Sequence, residues 1–437
     1  MVLQSRAVPR YTSYPTTPHF SETITSKTYE SWLAALDSTV EASIYLHIPY
    51  CSSLCWFCGC YTKVIRQAPP IKSYLATLAN EISSVSQKLN RPVSVNHIHF
   101  GGGSPNLLKS EDWETLMAHL KSKFHIVENA SIAVELDPRN ITKEYVSALS
   151  SIGVNRVSLG VQDLNQRVQI AINRIQSIEQ VTRVVKWLKE NHIQNINIDL
   201  MYGLPHQTVK LVLDTVDKVV SLDPQRVTLF GYAHVPWMRH HQRMIPEETL
   251  PDIVEREKQA IVVAERLVRE GFIKIGLDHF AKPDDNLSIA LTEKRLRRNF
   301  QGYTDDISPI LFGFGASAIS QLPFGYAQNL SSIRQYTDVV HRGRLPITKG
   351  HALTSDDRIR ADIIENLMCY LTADLNGDNQ LIMGAQKKLK NLVDNGMCRL
   401  DEERIEVPES SRHLVRLVAA AFDDYLEGGK GRHTSAL

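Results

Sequence analysis

No run of apolar residues in this chain approaches the ~18 needed to cross a bilayer. The first 26 residues hold no apolar core of the kind a secretion signal carries, and Pro9, Pro15 and Pro18 interrupt them. Neither sign of charge prevails, with 49 Lys and Arg against 48 Asp and Glu. A chain with no basic stripe gives no electrostatic reason to expect nucleic acid or an anionic membrane as a partner. Internal repeats and low-complexity tracts are also missing. The apolar fraction is 43% and the charged fraction 22%, so the chain can bury a sizeable core and is not a disordered one. These features predict a cytoplasmic, globular protein and leave room for a local basic pocket that takes an acidic small molecule; the protein is expected to be monomeric.

Cysteine is scarce and unevenly placed. Of six cysteines, Cys51, Cys55, Cys58 and Cys60 fall within ten residues, while Cys369 and Cys398 stand alone. A disulfide scaffold would scatter its cysteines along a short secreted chain, whereas clustered thiols in a long cytosolic one indicate a metal site. The run Cys51-Ser-Ser-Leu-Cys55-Trp-Phe-Cys58 puts three thiols on one loop, enough to hold three irons of a cubane and leave the fourth open. Structural zinc wants four ligands from two separated knuckles, and Cys58-Gly-Cys60 is too short to form the second one.

From about residue 41 to 232, short β-rich runs alternate with helical ones. Strands are predicted at 43–48, 97–100, 131–136, 156–161, 195–200 and 226–232, with helices at 71–88, 110–121, 143–152, 177–191 and 208–222. Six such βα units predict a parallel sheet with helices outside, open or partly closed into a barrel. Asn197 and Asp199 alternate with Ile196, Ile198 and Leu200, which suits a barrel with a polar interior. A helix follows at 251–270, a short strand at 272–277, and a Gly-rich run at 312–320 that returns toward the core. After Gly350 the pattern becomes helices at 355–371 and 381–394, a hairpin at 397–407 and an amphipathic helix at 410–426. That order predicts a helical, winged-helix-like C-terminal domain at 346–437, behind an N-terminal arm at 1–40 and a barrel with its extension at 41–345. No excess of Lys or Arg marks a recognition helix, so covering the substrate is the expected role.

The cysteine spacing matches the radical S-adenosylmethionine superfamily. Further segments extend the match: Tyr45-Leu-His-Ile-Pro-Tyr-Cys51, Gly101-Gly-Gly-Ser-Pro105, Val134-Glu-Leu-Asp-Pro-Arg139, Gly160-Val-Gln-Asp163, Ile198-Asp-Leu-Met-Tyr-Gly-Leu-Pro205 and Arg298-Asn-Phe-Gln-Gly-Tyr-Thr304. Together these resemble the oxygen-independent coproporphyrinogen III oxidases. The resemblance is dense from about residue 10 to 320 and thin beyond, and Pro9-Arg-Tyr-Thr-Ser-Tyr-Pro15 is similar to that family's leading arm. It implies a partial (βα)6 TIM-like barrel of the radical SAM type. It also implies a [4Fe–4S] cluster on Cys51, Cys55 and Cys58, and two molecules of S-adenosylmethionine.

By the same resemblance, Tyr45, Phe57, Gly102, Gly103, Ser104, Glu135, Gln162, Arg174, Asp199, Ala233 and Ile319 contact S-adenosylmethionine. The glycines let backbone approach a ligand and offer N–H groups. Ser104 keeps the hydroxyl of the family's usual Thr. Arg174 would pair with a carboxylate as guanidinium forks do. Cys60 and the arm distinguish this chain from the related haem-chaperone branch. Arg10, Arg295 and Arg298 are candidate partners for the substrate's propionates, while His47, His234, His240, His241 and His279 are given no catalytic role. The implied reaction converts two propionates of coproporphyrinogen III to vinyl groups, with an electron donor such as flavodoxin or ferredoxin. Two other readings are a haem-binding chaperone or haem-modifying relative on the same scaffold, and a zinc-containing DNA-binding regulator.

Overall fold

The computed structural model describes residues 8–37 and 39–426. The outermost parts of the expected arm and C-terminal domain, 1–7 and 427–437, lie outside the described residues. Six parallel strands form the centre: β1 (Ala42–Ile48), β2 (Ser94–Gly102), β3 (His125–Leu136), β4 (Arg156–Gln162), β5 (Asn195–Tyr202) and β6 (Arg226–Gly231), hydrogen-bonded in chain order. Each predicted strand is present.

Pleating explains the composition of these strands, since successive side chains point to opposite faces. In β3 the alternating residues Ile132, Val134 and Leu136 are buried beneath the helices, while Ser131 and Glu135 face the interior. In β5, Ile196, Ile198 and Leu200 are fully buried, while Asn197 and Asp199 face the interior. The expected polar barrel interior is therefore present. The helix Ile178–Glu190 shows the outer layer's logic. Ser177 caps it in a reciprocal box with Gln180, and Val181, Val184, Val185 and Leu188 make one buried face. Each such side chain contributes about 1.5–3 kcal/mol by leaving water.

The sheet is larger than six strands. Beyond β1 it continues through Ile310–Phe314, which runs parallel to β1, then antiparallel through Ile319–Leu322, Gly325–Asn329 and Ile347–Ala352. Beyond β6 lie His279–Ala281 and Ile273–Ile275, both antiparallel, for twelve strands in all among the described residues. The Gly-rich run at 312–320 is thus two strands and their turn. Its glycines fit the crossing, since a Cβ on Gly313 would lie 2.3 Å from the Ile319 carbonyl oxygen. The strand Ile347–Ala352 carries the large sheet past residue 345.

The C-terminal region has its own buried cluster, in which Leu367, Met368, Ile382, Leu389, Ile405 and Val418 take part. Helices Ser355–Tyr370 and Asn379–Asp394 pack with a three-stranded sheet formed by Thr372–Asp374, Arg399–Leu400 and Arg404–Glu406. The expected long amphipathic helix at 410–426 is a correction: the segment breaks into a five-residue α-helix, Val415–Ala419, between two 3-10 turns. Every residue from Leu414 to Phe422 is buried, so it has no polar face for one long surface helix to present. Val8, Tyr11 and Tyr14 of the arm belong to this cluster. Arg416 donates from Nε to the Pro9 carbonyl (3.0 Å), and Tyr11 donates to Asp423 (3.0 Å).

Candidate active site

The cysteine loop sits where β1 ends, at the C-terminal rim where barrel sites form. It is pinned from several sides: Trp56 N–H donates to the Ile172 carbonyl (3.0 Å), Asn173 Nδ2 to the Leu54 carbonyl (2.8 Å), Gln242 Nε2 to the Phe57 carbonyl (3.0 Å) and His241 Nε2 to the Cys58 carbonyl (2.7 Å). Trp56 and Phe57 pack on Val168, Ile172, Leu204, Tyr232 and Ile245, which closes the loop's underside to water.

Donors surround the sulfurs. Arg174 Nη1 and Arg139 Nη2 both donate to Cys55 Sγ, at 3.4 and 3.8 Å. Ser104 Oγ donates to Cys51 Sγ (3.6 Å), and Cys60 N–H to Cys58 Sγ (3.4 Å). A hydrogen bond from the Cys60 side chain pulls the Cys58 thiol down to about 6 against its burial, while burial pushes Cys51 up to about 11. Donors aimed at sulfur are what a negatively charged iron–sulfur cluster needs. Among the described residues no three His, Cys, Asp or Glu side chains gather around one point as a single metal ion would require. Three thiols spread over the corners of a cubane need no such convergence. Three thiols on one loop, each sulfur met by a hydrogen-bond donor, fit a [4Fe–4S] cluster.

Asp137 holds the two guanidiniums in place. Its Oδ2 accepts from Arg139 Nη2 (2.6 Å) and Arg174 Nη1 (3.1 Å), and Arg174 also donates to the Gly160 carbonyl. Burial pushes the Asp137 carboxyl up, but Arg174 and Arg139 outweigh it and hold it below the ordinary carboxylate range.

The remaining polar groups converge on one cavity of about 390 Å³ that runs from the cysteines into the barrel. Phe57, Gly102, Gly103, Ser104, Glu135, Gln162, Arg174 and Asp199 all line it. Glu135 accepts from His99 Nε2 (3.0 Å) and from Gly102 N–H (3.1 Å). Burial raises its carboxyl, and His99 with the Gly102 N–H brings it below the usual value. Asp199 accepts from Ser158 (2.7 Å) and Asn197 (2.7 Å), yet burial keeps its carboxyl raised. Gln162 has φ of 69° at an irregularity in the β4–β5 register, a left-handed conformation uncommon for a side chain of its size. Such local strain at a rim is typical of functional positions.

Comparison with known proteins agrees with this site. The Radical SAM superfamily signature matches residues 45–219, which include the cysteine loop. The oxygen-independent coproporphyrinogen III oxidase of Bradyrhizobium diazoefficiens is 48% identical, over 98% of this chain and 97% of its own length. The anaerobic coproporphyrinogen III oxidase 1 of Cereibacter sphaeroides is 42% identical, over 98% of this chain and 96% of its own. The solved structure of the Escherichia coli coproporphyrinogen III oxidase, described as a radical SAM enzyme, superposes with a TM-score of 0.91 at 35% identity, covering 96% of this chain and 100% of that one.

The chain belongs to the oxygen-independent coproporphyrinogen III oxidase family.

Within that family framework, three residues expected at the site stand apart from the cluster cavity. Tyr45 lies inside the barrel behind it, its hydroxyl 3.0 Å from His47 Nδ1 and its ring 5.8 Å from that of His99. Ala233 lines a second cavity. Ile319 starts a strand beyond β1 and lines neither. Two further expectations change in detail. The N–H groups of Gly102, Gly103 and Ser104 donate to Glu135, the Ile48 carbonyl and the Tyr50 carbonyl, so these three are already engaged within the chain and are not on offer to a ligand. Arg174, expected to pair with a ligand carboxylate, pairs with Asp137; its Nε alone has no hydrogen-bond partner among the described residues.

Sequence reasoning missed Asp137, Arg139 and His99. The first two lie inside a motif it quoted, and no spacing rule says that Arg139 would fold back on the cysteine loop. His99 was detectable: it is two residues before Gly101 on β2, the same face as His97, and alternation alone turns both inward.

Proposed function

We propose that this protein is an oxygen-independent coproporphyrinogen III oxidase, converting two propionates of coproporphyrinogen III to vinyl groups. Each round takes one hydrogen atom from the propionate β-carbon, releases the carboxyl carbon as CO2 and passes one electron onward. The observation that carries this reading is the convergence, on one cavity, of three sulfur-solvating donors and the rim residues Glu135, Gln162 and Asp199. Cys51, Cys55 and Cys58 hold the [4Fe–4S] cluster. Phe57, Gly102, Gly103, Ser104, Glu135, Gln162, Arg174 and Asp199 would receive the S-adenosylmethionine, of which the family resemblance implies two molecules; Tyr45, Ala233 and Ile319, which it also assigns to them, lie outside this cavity. Bound there, the cluster and S-adenosylmethionine would supply the radical chemistry that removes the hydrogen atom.

The chain's own groups position and shield. Arg139 and Arg174 keep positive charge beside Cys55, and Asp137 fixes both guanidiniums. Glu135, held ionised by His99, is placed to meet an ammonium or ribose hydroxyls. Trp56 and Phe57 keep water from the loop. The arm, the barrel and the C-terminal unit act as the three parts of one monomeric enzyme, reduced by a flavodoxin- or ferredoxin-type donor in the cytoplasm. Among the described residues no helix is long and apolar enough to cross a membrane.

Anaerobic turnover tests this reading. Cluster-loaded protein, dithionite, S-adenosylmethionine and coproporphyrinogen III should yield 5′-deoxyadenosine and protoporphyrinogen IX, with Cys55→Ala yielding neither. Deoxyadenosine without a vinyl product would move the substrate to haem-modifying relatives, and stable haem binding without turnover would indicate a chaperone.

A further inference from the structure

A second cavity, of about 770 Å³, lies across β6 from the first. Alternation along this strand sets the division: Phe230 faces the cluster cavity, while Leu229 and Gly231 face the second. Its other walls come from the helix Ile253–Arg269, the arm at Arg10 and the C-terminal unit at Arg412–Arg416.

This second cavity is cationic. Arg10, Arg256, Arg298 and Arg416 all line it. Arg10 Nη2 donates to the Gly231 carbonyl (3.0 Å), Arg256 Nη2 to the Tyr232 carbonyl (2.8 Å), and Arg298 Nε to the Tyr11 carbonyl (3.2 Å). Carbonyls satisfy hydrogen bonds but bring no countercharge. Among the described residues none of Arg10, Arg256 and Arg298 forms an ion pair with a carboxylate. Two of their atoms, Arg256 Nε and Arg298 Nη1, are buried and have no hydrogen-bond partner among the described residues. Other ions of the wall are already matched: Glu409 pairs with Arg412 and Lys274, and Glu265 with Arg269. One carboxylate, Asp278, faces these guanidiniums, and it is hydrogen-bonded to His279 (2.8 Å).

The cluster cavity is the opposite case. Its four arginines are all paired, Arg139 and Arg174 with Asp137, Arg156 with Asp305 and Arg226 with Asp285.

We propose that the second cavity receives the two propionates that the reaction leaves intact, with Arg10, Arg256 and Arg298 as their charge partners. This inference rests on the function proposed above. A guanidinium gripping a carboxylate stabilises its charged ground state. Such a grip would oppose the departure of a carboxylate as CO2, and it does no harm to one that stays. The reacting propionates therefore belong in the cavity where every arginine has a carboxylate partner, and the retained ones in the cavity where Arg10, Arg256 and Arg298 have only Asp278 facing them. Because the arm carries Arg10, this anchor is complete only with the arm docked.

Two stable, oxidised porphyrins separate the cases. Coproporphyrin III carries all four propionates, and protoporphyrin IX carries only the retained pair. Binding of each to cluster-loaded protein with S-adenosylmethionine would be followed anaerobically by fluorescence quenching, for wild type, Arg256→Gln, Arg298→Gln and Arg256→Lys. The expected result is that each Gln variant weakens both porphyrins by the same factor, about tenfold, with partial recovery in the Lys variant. Turnover should show a raised KM and a kcat within about twofold of wild type. Iron content and cluster absorbance should not change, which separates an anchoring role from a folding defect. Weakening of coproporphyrin alone would overturn the proposal by placing the reacting propionates here; no weakening of either would overturn it by showing that the cavity holds no carboxylates. Wild-type protein that makes no deoxyadenosine and binds neither porphyrin would instead sink the proposed function itself.

Discussion

Replacing Asp137 by Asn tests the electrostatic account of the site most directly. Oδ1 accepts from Arg139 N–H (3.1 Å) and Nε (2.9 Å), and Oδ2 from Arg139 Nη2 (2.6 Å) and Arg174 Nη1 (3.1 Å). An amide nitrogen at either oxygen position would face donors with a donor. The change also leaves two largely buried guanidiniums without their anion. Removing one partner of a buried pair costs about 3–5 kcal/mol, because the surviving charge remains buried. With a urea slope of about 3 kcal/mol per molar, the unfolding midpoint should fall by about 1–1.7 M. The assay is urea unfolding of the full iron-free chain, followed by near-ultraviolet dichroism at several pH values. The folded-state pKa of Asp137 is depressed, so its contribution is present above the unfolded value of about 3.9 and is lost as pH falls through the lower folded value. The gap between variant and wild type should therefore be constant from pH 8 to 5 and close only in strong acid. A gap below about 1 kcal/mol at pH 7, or one that shrinks already between pH 8 and 5, would refute the reasoning.

Glu81, buried and accepting from Tyr336 (2.6 Å), Asn329 (2.6 Å) and Gly315 N–H (2.8 Å), is pushed up to about 7 by that burial. Its contribution is present below the unfolded value of about 4.3 and lost as pH rises through about 7, so wild-type stability should fall across that window by on the order of 3 kcal/mol. Glu81→Gln should flatten the profile, and an unchanged slope in a pH series of denaturation curves would count against this assignment. A Cβ on Gly103 would lie 2.5 Å from the Tyr50 carbonyl oxygen and 2.7 Å from that of Ile48, both rigid backbone. Gly103→Ala should displace the loop and lower deoxyadenosine formation by about a hundredfold, the effect of ~1 Å misplacement; near-normal formation would show that the loop has room to yield. Gly384, exposed in the middle of the helix Asn379–Asp394, has open space around its Cβ position. Gly384→Ala should stabilise the C-terminal unit by about 0.5–1 kcal/mol, read as a higher thermal midpoint.

The barrel was legible because its signal is local. Each strand carries its period-2 pattern, as Ile196, Ile198 and Leu200 do against Asn197 and Asp199, and each helix carries its own cap and apolar stripe. The cysteine loop was legible because three ligands lie within eight residues. What escaped the sequence depends on pairing between distant segments. In the Gly-rich run at 312–320 no local feature announces that Ile310–Phe314 will lie parallel to β1. The segment at 410–426 has helical periodicity, but its burial on all sides is set by the arm and the helix Ser355–Tyr370, neither of which is nearby in sequence. Arg10 and Arg298 were singled out as propionate partners with Arg295, yet Arg295 instead pairs with Glu293 at the surface (2.5 Å). Arg256 was not singled out at all: on a helix rich in charge, no pattern distinguishes the one arginine that turns inward.

The two cavities also bear on how one enzyme could treat chemically identical propionates differently. Nothing in the bond to be broken separates a propionate that reacts from one that stays, so the distinction has to come from where each is held. β6 supplies that geometry with no dedicated domain, because its pleat sends Phe230 to one side and Leu229 and Gly231 to the other. Gly231 also lets the barrier stay thin. An added Cβ there would lie 2.8 Å from the Tyr202 hydroxyl, and the Gly231 carbonyl is the acceptor that holds Arg10. Charge then enforces what geometry begins. A carboxylate entering the cluster cavity finds every arginine already paired, while one entering the second cavity finds three guanidiniums hydrogen-bonded to carbonyls with one carboxylate, Asp278, facing them. Arginines already paired offer a reacting carboxylate no grip to oppose its loss as neutral CO2, whereas the guanidiniums of the second cavity favour retention. Both rounds of the reaction can then use one fixed anchor, since the retained pair is the same in substrate, monovinyl intermediate and product.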